Sequence, residues 1–268
     1  MNADQDANRR DLALALRLAE LADGITMERF RADDLVIETK PDLTPVTEAD
    51  RAVEELLRKH LAAERPGHLV VGEELGADGP GGPGSARWII DPIDATKNYL
   101  RGIPVFATLI ALERDGGLVL GVASAPALGR RWWAARGQGA FGNGAPIHVS
   151  RVARLADAQL GHSSISSWES ADLGDRFLEL ERRCWHRRGF GDFWMHMLVA
   201  EGAVDVAAEP EVSLWDVAPV QVIVEEAGGR FTSLRGVARP DGGSAVSSNG
   251  LLHDEVLAIL SPPSPAGS

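Results

Sequence analysis

The stretch WIIDPIDATKNY, Trp88 to Tyr99, sets an apolar run directly before two aspartates three positions apart, Asp91 and Asp94, and then turns polar. The run RWIIDPID reads as a buried strand, because a short apolar segment bounded by turn formers fits a strand covered on both faces. Ending such a strand in two carboxylates holds like charges within a few ångströms, which is costly unless a cation neutralises them. Pro92 is expected to end the strand and bend the chain, freeing the carbonyl of Ile93 as an additional oxygen ligand. On its own the pair could merely cap a turn, so the remaining acids decide.

Two other segments supply them. HLVVGEE is a strand candidate ending in Glu73 and Glu74, and WDVAPVQVIVEEAGG opens a helix at Asp216 and closes it on Gly228 and Gly229. Carboxylates at strand ends and helix starts converge readily on one crevice in α/β folds. They are hard oxygen ligands and suit Mg2+ or Mn2+ rather than zinc. After DPID, residues Thr96, Lys97 and Asn98 can start a short helix whose first amides lack intrahelical partners, a natural seat for phosphate. Metal beside a phosphate seat points to phosphoryl transfer, most simply hydrolysis.

The whole chain sets wider bounds. Its 268 residues suffice for a sizeable core. A net charge of −12 argues against nucleic acid and against an anionic membrane, but not against a phosphorylated substrate bridged by metal. The single cysteine, Cys184, rules out an intrachain disulfide and a cysteine zinc cluster. No targeting segment and no membrane-length apolar run is visible, so a soluble cytoplasmic protein is expected.

Outward from the acids the pattern alternates. Residues 7 to 31 read as a helix, DLVIETK as a strand, and the segment after Thr47 as a helix capped by that residue, with Val53, Leu56, Leu57 and Leu61 on one face. Gly76 to Ala86 reads as an irregular loop, and 104 to 148 as an antiparallel meander. Then follow strand QLGHSSIS, helix 171 to 183, strand CWHRRG, helix DFWMHMLVAEG, strand AVDVAAE and the helix after Asp216. This is one unit of stacked helix and sheet layers, 1–268, with halves of 1–150 and 151–262 and a disordered tail at 263–268.

Three segments in family-like order and spacing, VGEE (71–74), WIIDPIDATKNY (88–99) and LWDVAPVQVIVEEAGG (214–229), resemble the hallmarks of the Mg2+-dependent, lithium-sensitive inositol monophosphatase family. The similarity runs over nearly the whole chain. Within that family, TKPDLTPVTEADRAVE and GDF…LVAEGAVDVAAEP look most like the bacterial histidinol-phosphate phosphatases. The resemblance implies an αβαβα sandwich of the inositol monophosphatase and fructose-1,6-bisphosphatase type, usually a homodimer. It implies that Glu73, Asp91 and the Ile93 carbonyl hold one ion, that Asp91 bridges to a second completed by Asp94 and Asp216, and that a third, weaker ion sits near Glu73. Thr96 and Glu73 would orient and help deprotonate the attacking water, while the amides of Ala95 and Thr96 hold phosphate oxygens. Where this chain has Ala95 the family pattern has glycine, so a positive φ there would cost strain.

The activity implied is hydrolysis of L-histidinol phosphate to L-histidinol and phosphate, a step of histidine biosynthesis. An inositol-1-monophosphatase or a broad sugar and polyol phosphatase is the alternative, and a non-catalytic phosphate-binding regulatory module is the alternative of another class. The intact set Glu73, Asp91, Asp94, Thr96 and Asp216 favours catalysis. Histidinol phosphate carries an ammonium group, so a site that prefers it should present acids opposite the phosphate. Asp192 and Glu209 are the candidates, against the plainer readings of a helix N-cap and a solvated loop acid. Trp132 and Trp133 read as packing residues and NGAP as a turn. Arg182, Arg183, Arg187 and Arg188 read as a solvated surface, and His186 and His196 as unneeded by a metal mechanism.

Overall fold

The computed structural model describes residues 3–41, 43–80 and 85–262. Helix α1 (Ala3–Arg29) leads to a hairpin of β1 (Ile37–Thr39) and β2 (Pro45–Thr47), then α2 (Glu48–Glu64), β3 (Leu69–Gly72), β4 (Gly76–Asp78) and β5 (Arg87–Asp94). The short α3 (Thr96–Leu100) precedes a meander of β6 (Ala107–Arg114), β7 (Gly117–Ala125), β8 (Arg130–Ala135), β9 (Ala140–Gly142) and β10 (Ala145–Ile147). The second part runs β11 (Gln159–His162), α4 (Ile165–Ser170), α5 (Gly174–Arg183), β12 (His186–Arg188), α6 (Asp192–Ala200), β13 (Val206–Glu209) and α7 (Leu214–Glu226). It closes with β14 (Arg230–Thr232), β15 (Ala245–Ser248) and α8 (His253–Leu260).

These elements make five layers. An eight-stranded sheet in the order β10-β9-β8-β7-β6-β5-β3-β4 has α1 and α2 on one face, where Leu18, Val53 and Leu57 pack on Trp88, Ile90 and Val122. Its other face packs Ile89, Leu109 and Ala123 against α6 and α7. Beyond these helices lies a five-stranded sheet, β12-β11-β13-β15-β14, whose outer face is covered by α4, α5 and α8 through Trp168, Phe177 and Val256. The result is an αβαβα sandwich. Alternation along β5 sends Trp88 and Ile90 toward α1 and α2 and Ile89 toward α7, and Asp91, two residues on from Ile89, shares the α7 face.

Four expectations need correction. Pro92 does not end β5: the strand continues to Asp94, and the pairing with β6 shifts register between Asp91↔Leu109 and Asp94↔Ala107. The extra residue is a bulge, which tolerates a proline that lacks a ladder donor. Residues 76–78, expected to be irregular, pair with β3 as β4, because Gly76 (φ 69°) turns the chain back tightly. QLGHSSIS is a strand only to His162, after which α4 begins, and the helix placed at 171 to 183 starts at Gly174. Residues 81–84 of the expected loop and the tail 263–268 lie outside the described residues.

Helix α7 reaches the sheet at one very close point. A Cβ on Gly121 of β7 would stand 2.5 Å from the carbonyl oxygen of Pro219 and 2.7 Å from its Cα. Backbone, unlike a flexible side chain, cannot yield there, so Gly121→Ala should lower stability by about 3 kcal/mol or more. Gly24→Ala, inside α1 with nothing within 4 Å of the new Cβ, should instead raise stability by about 0.5–1 kcal/mol. Denaturant melts of the two variants check both signs.

Candidate active site

The close approach of α7 carries the first turn of the helix to the end of β5. There one oxygen each from Asp91, Asp94 and Asp216 lies within 4.8 Å of the others. Asp91 and Asp94 are buried at 2% and 8% exposure. Asp216 stands at the third position of α7 and accepts the backbone N–H of Ser213 at 2.7 Å in a capping box. Asp94 accepts the backbone N–H of Phe193 at 3.0 Å. Asp91 has a buried oxygen, Oδ1, with no hydrogen-bond partner.

Electrostatics matches the geometry. Burial, then the charges of Glu73, Asp94 and Asp216, pushes the Asp91 carboxyl well above the usual carboxylate range. Burial and the charges of Asp192 and Asp216 do the same to Asp94. Asp216 is pushed up to about 7, first by burial, despite the Ser213 N–H. An orphaned buried carboxylate oxygen among acids that resist ionisation is what a hard cation relieves. The donor set therefore fits a divalent ion.

Glu73 stands beside this trio rather than inside it. Its charge is among the main influences on Asp91, yet its own carboxylate pairs with Lys40 Nζ at 2.7 Å. Lys40 also pairs with Glu74 at 2.6 Å. Burial opposes the charge of Lys40, but the two carboxylates outweigh it and raise the pKa. A third ion near Glu73 would have to compete with this ammonium. The VGEE turn itself is held by Glu54, fully buried on α2, which accepts the N–H groups of Glu74 and Leu75 at 2.8 and 3.2 Å. Gly72 is required there, since a Cβ would sit 2.0 Å from the Glu54 carboxylate.

The segment after Asp94 is strained. Ala95 adopts φ 65°, ψ 45°, the left-handed region, and is followed by α3. The hydroxyl of Thr96 donates to the Ile93 carbonyl at 3.0 Å, which leaves the Thr96 oxygen as an acceptor. On the other side of Asp94, the residues Asp192, His196, Glu209 and Asp216 line a small cavity of about 80 Å3. Asp192 is the first residue of α6, at φ 50°, while the N-cap position is held by Gly191. Its carboxyl lines the cavity beside Asp94. Burial, then the charge of Glu209, raises it to about 6. Glu209 is 7% exposed, which excludes the solvated loop reading.

Three residues of this region escaped the sequence. Lys40 comes from the β1–β2 hairpin, remote in the chain. Asp50, fully buried, completes a capping box with Thr47 (2.8 Å to the Thr47 N–H), and burial, with the charges of Glu74 and Glu73 adding to it, raises it to about 7. His196, dismissed as unneeded, is buried with Nε2 3.2 Å from Glu209 and Nδ1 2.8 Å from the Ser247 hydroxyl. Trp132 is buried and Trp133 half-buried on the opposite face against Phe141. Arg182, Arg183, Arg187 and Arg188 are exposed.

The sequence profile of the inositol monophosphatase family matches residues 8–262. The chain belongs to the inositol monophosphatase family. It is 58% identical over 255 residues to a histidinol-phosphatase of Mycobacterium tuberculosis, covering 93% of this chain and 97% of that one. It is 55% identical to a histidinol-phosphatase of Streptomyces coelicolor, covering 93% and 96%. Among solved structures, the extragenic suppressor protein SuhB of Bartonella henselae superimposes with a TM-score of 0.86 at 27% identity, covering 94% of this chain and 98% of that one. The chain is thus a phosphoric monoester hydrolase, of a metal-dependent family. None of its described helices is long and apolar enough to cross a membrane.

The acids fix how stability depends on pH without metal. A carboxyl raised on folding, as Asp216 is to about 7, stabilises the fold when neutral; that contribution is complete below 3.8 and lost as pH rises through about 7. His253, held down to about 4 by burial between the Thr232 and Ser248 hydroxyls, acts oppositely and costs stability only as pH falls below 6.5. In EDTA the melting temperature should therefore fall from about pH 6.5 to about pH 8, and Mg2+ should restore it at the upper end. A flat profile in EDTA would contradict the acid cluster.

Proposed function

We propose that this chain is a Mg2+-dependent histidinol-phosphatase that hydrolyses L-histidinol phosphate to L-histidinol and phosphate in histidine biosynthesis. The observation that carries the substrate reading is the second acid group, Asp192 and Glu209, which meets the metal-type cluster at Asp94 and Asp216 around one cavity. A neutral polyol gains little from two buried carboxylates, whereas an ammonium group answers their charge. The identity to two proteins named histidinol-phosphatase supports the same choice. The enzyme acts in the cytoplasm as a homodimer, a state supported by the family resemblance and by Trp185, 68% exposed next to edge strand β12.

Glu73, Asp91, Asp94, Asp216 and the Ile93 carbonyl are the groups that would hold two Mg2+ ions, with Mn2+ as a substitute and a third, weaker site at Glu73. Bound there, the metal supplies the positive charge that acidifies a water and neutralises phosphate oxygens. Thr96 Oγ1, its own proton committed to Ile93, orients that water by accepting a hydrogen bond. A carboxylate oxygen of Glu73 would take up the proton as the water oxygen bonds to phosphorus and the P–O ester bond breaks, and the departing oxygen would take a proton from solvent water to give the alcohol. The amides of Ala95 and Thr96, with no partner inside α3, hold phosphate oxygens in place. Asp192 and Glu209 bind the ammonium end of the leaving alcohol.

Two experiments test this reading. Asp94→Asn and Asp216→Asn should each lower kcat/KM by a hundredfold or more, about 3 kcal/mol or above, while the fold survives. A variant with near wild-type phosphate release would sink the metal assignment. Asp192→Asn and Glu209→Gln should each weaken histidinol phosphate hydrolysis by about ten- to a hundredfold, with much smaller losses on an uncharged phosphate ester. Equal losses on both substrates would return an inositol or polyol phosphatase to first place.

Releasing the left-handed strain at Ala95 gives a further check. Ala95→Gly should raise the melting temperature by about 1–3 °C and tighten inorganic phosphate binding. Weaker phosphate binding in this variant would remove the Ala95 amide from the site.

A further inference from the structure

A second cavity, of about 430 Å3, opens at the far ends of the two elements that carry the acid cluster. Arg87 begins β5, the strand that carries Asp91 and ends at Asp94, so seven residues of extended chain put Arg87 roughly 23 Å from Asp94. Gln221 and Glu225 lie on α7 five and nine residues beyond Asp216, about 7.5 and 13.5 Å along the axis. The size suits a small ligand.

The lining is charged and balanced. Arg87 pairs with Glu113 across β5 and β6, Arg136 with Glu225, and Arg239 with Asp241 at 2.6 Å. Three guanidinium groups thus face three carboxylates, and all six line the cavity. Gln221, 6% exposed, lines it too. Its Nε2 donates to Glu225 Oε1 at 3.0 Å and to the Ala238 carbonyl at 3.4 Å. Both partners accept only, so the amide is fixed in this orientation. Its Oε1 is then a buried acceptor without a donor, a costly arrangement in the wall of the cavity.

This combination selects the ligand class. A polyanion gains no net attraction from a ring of equal charges, and a simple cation none either. A zwitterion matches both halves: its carboxylate meets guanidinium N–H groups, and its ammonium meets the carboxylates. We propose that this cavity is an effector site for a free α-amino acid. Occupancy would be felt at Asp91, Asp94 and Asp216, because β5 and α7 each carry residues of both sites.

The test uses the full chain loaded with Mg2+. Thermal melts with each of the twenty common L-amino acids at about 10 mM should show a rise of about 2 °C or more for at least one of them. The methyl ester and the decarboxylated amine of that amino acid should give no rise. The rise should add to that caused by inorganic phosphate, which reports the other site. Arg239→Ala, on an exposed loop, and Gln221→Leu should each weaken the amino acid tenfold or more while hydrolysis in its absence is unchanged. If Gln221→Leu fails to fold, Arg239→Ala decides alone. The proposal is overturned if no amino acid raises the melting temperature, if phosphate displaces the amino acid, or if the rise survives Arg239→Ala undiminished.

Discussion

Repulsion among buried carboxylates governs this molecule. Asp91, Asp94 and Asp216 meet within a few ångströms, with Glu73 next to Asp91 and with Asp192 and Glu209 beside Asp94. No hydrophobic core assembles such a group by itself, since each carboxylate loses hydration and gains a like-charged neighbour. The fold compensates by fixing each acid through its backbone. A bulge at Pro92 sets Asp91 and Asp94, a capping box sets Asp216, and buried Glu54 sets the turn of Glu73. Gly121 lets α7 come close enough to deliver Asp216. The site is thus an acidic cup whose electrostatic cost a cation would offset.

Two of the seven non-glycine residues with positive φ among the described residues stand at the site: Ala95, at 65°, follows Asp94, and Asp192, at 50°, precedes Phe193, whose N–H donates to Asp94. Left-handed conformations cost of order 1 kcal/mol each and persist where surrounding structure enforces them. At Ala95 the enforced turn joins the end of β5 to α3 in one step, so the amides follow the metal-type acids directly. At Asp192 it starts α6 so that the Phe193 N–H reaches Asp94 and the Asp192 carboxyl enters the small cavity.

Much of this was legible in the sequence, and the limits are physical. The acids at strand ends and at a helix start could be read because α/β topology sends such positions to one crevice, and the layered fold followed from the alternation of periods. Pro92 misled because a bulge is a pairing feature, invisible without the partner strand β6. Strand β4 was hidden by glycines that also make the turn before it. Lys40 and His196 were hidden for a different reason: their roles come from long-range packing, Lys40 on a hairpin over Glu73 and His196 under Glu209. Asp50 was hidden by its own cap, since one carboxylate serves both the helix start and the acid cluster.

The His196 contact bears on how a site so acidic chooses a substrate. With its proton on Nε2, the neutral imidazole donates to Glu209 and accepts from the Ser247 hydroxyl, so one tautomer satisfies both contacts. That hydrogen bond fixes the orientation of the Glu209 side chain. Asp192, Asp94 and Asp216 line the same small cavity as Glu209. In the proposed reaction metal would answer the charge on the phosphate side and a substrate ammonium the charge on the leaving-group side. Under the proposed function, the electrostatic cost that would make the first acid group bind metal would also make the second favour a cationic alcohol, with Glu209 held by its hydrogen bond to His196.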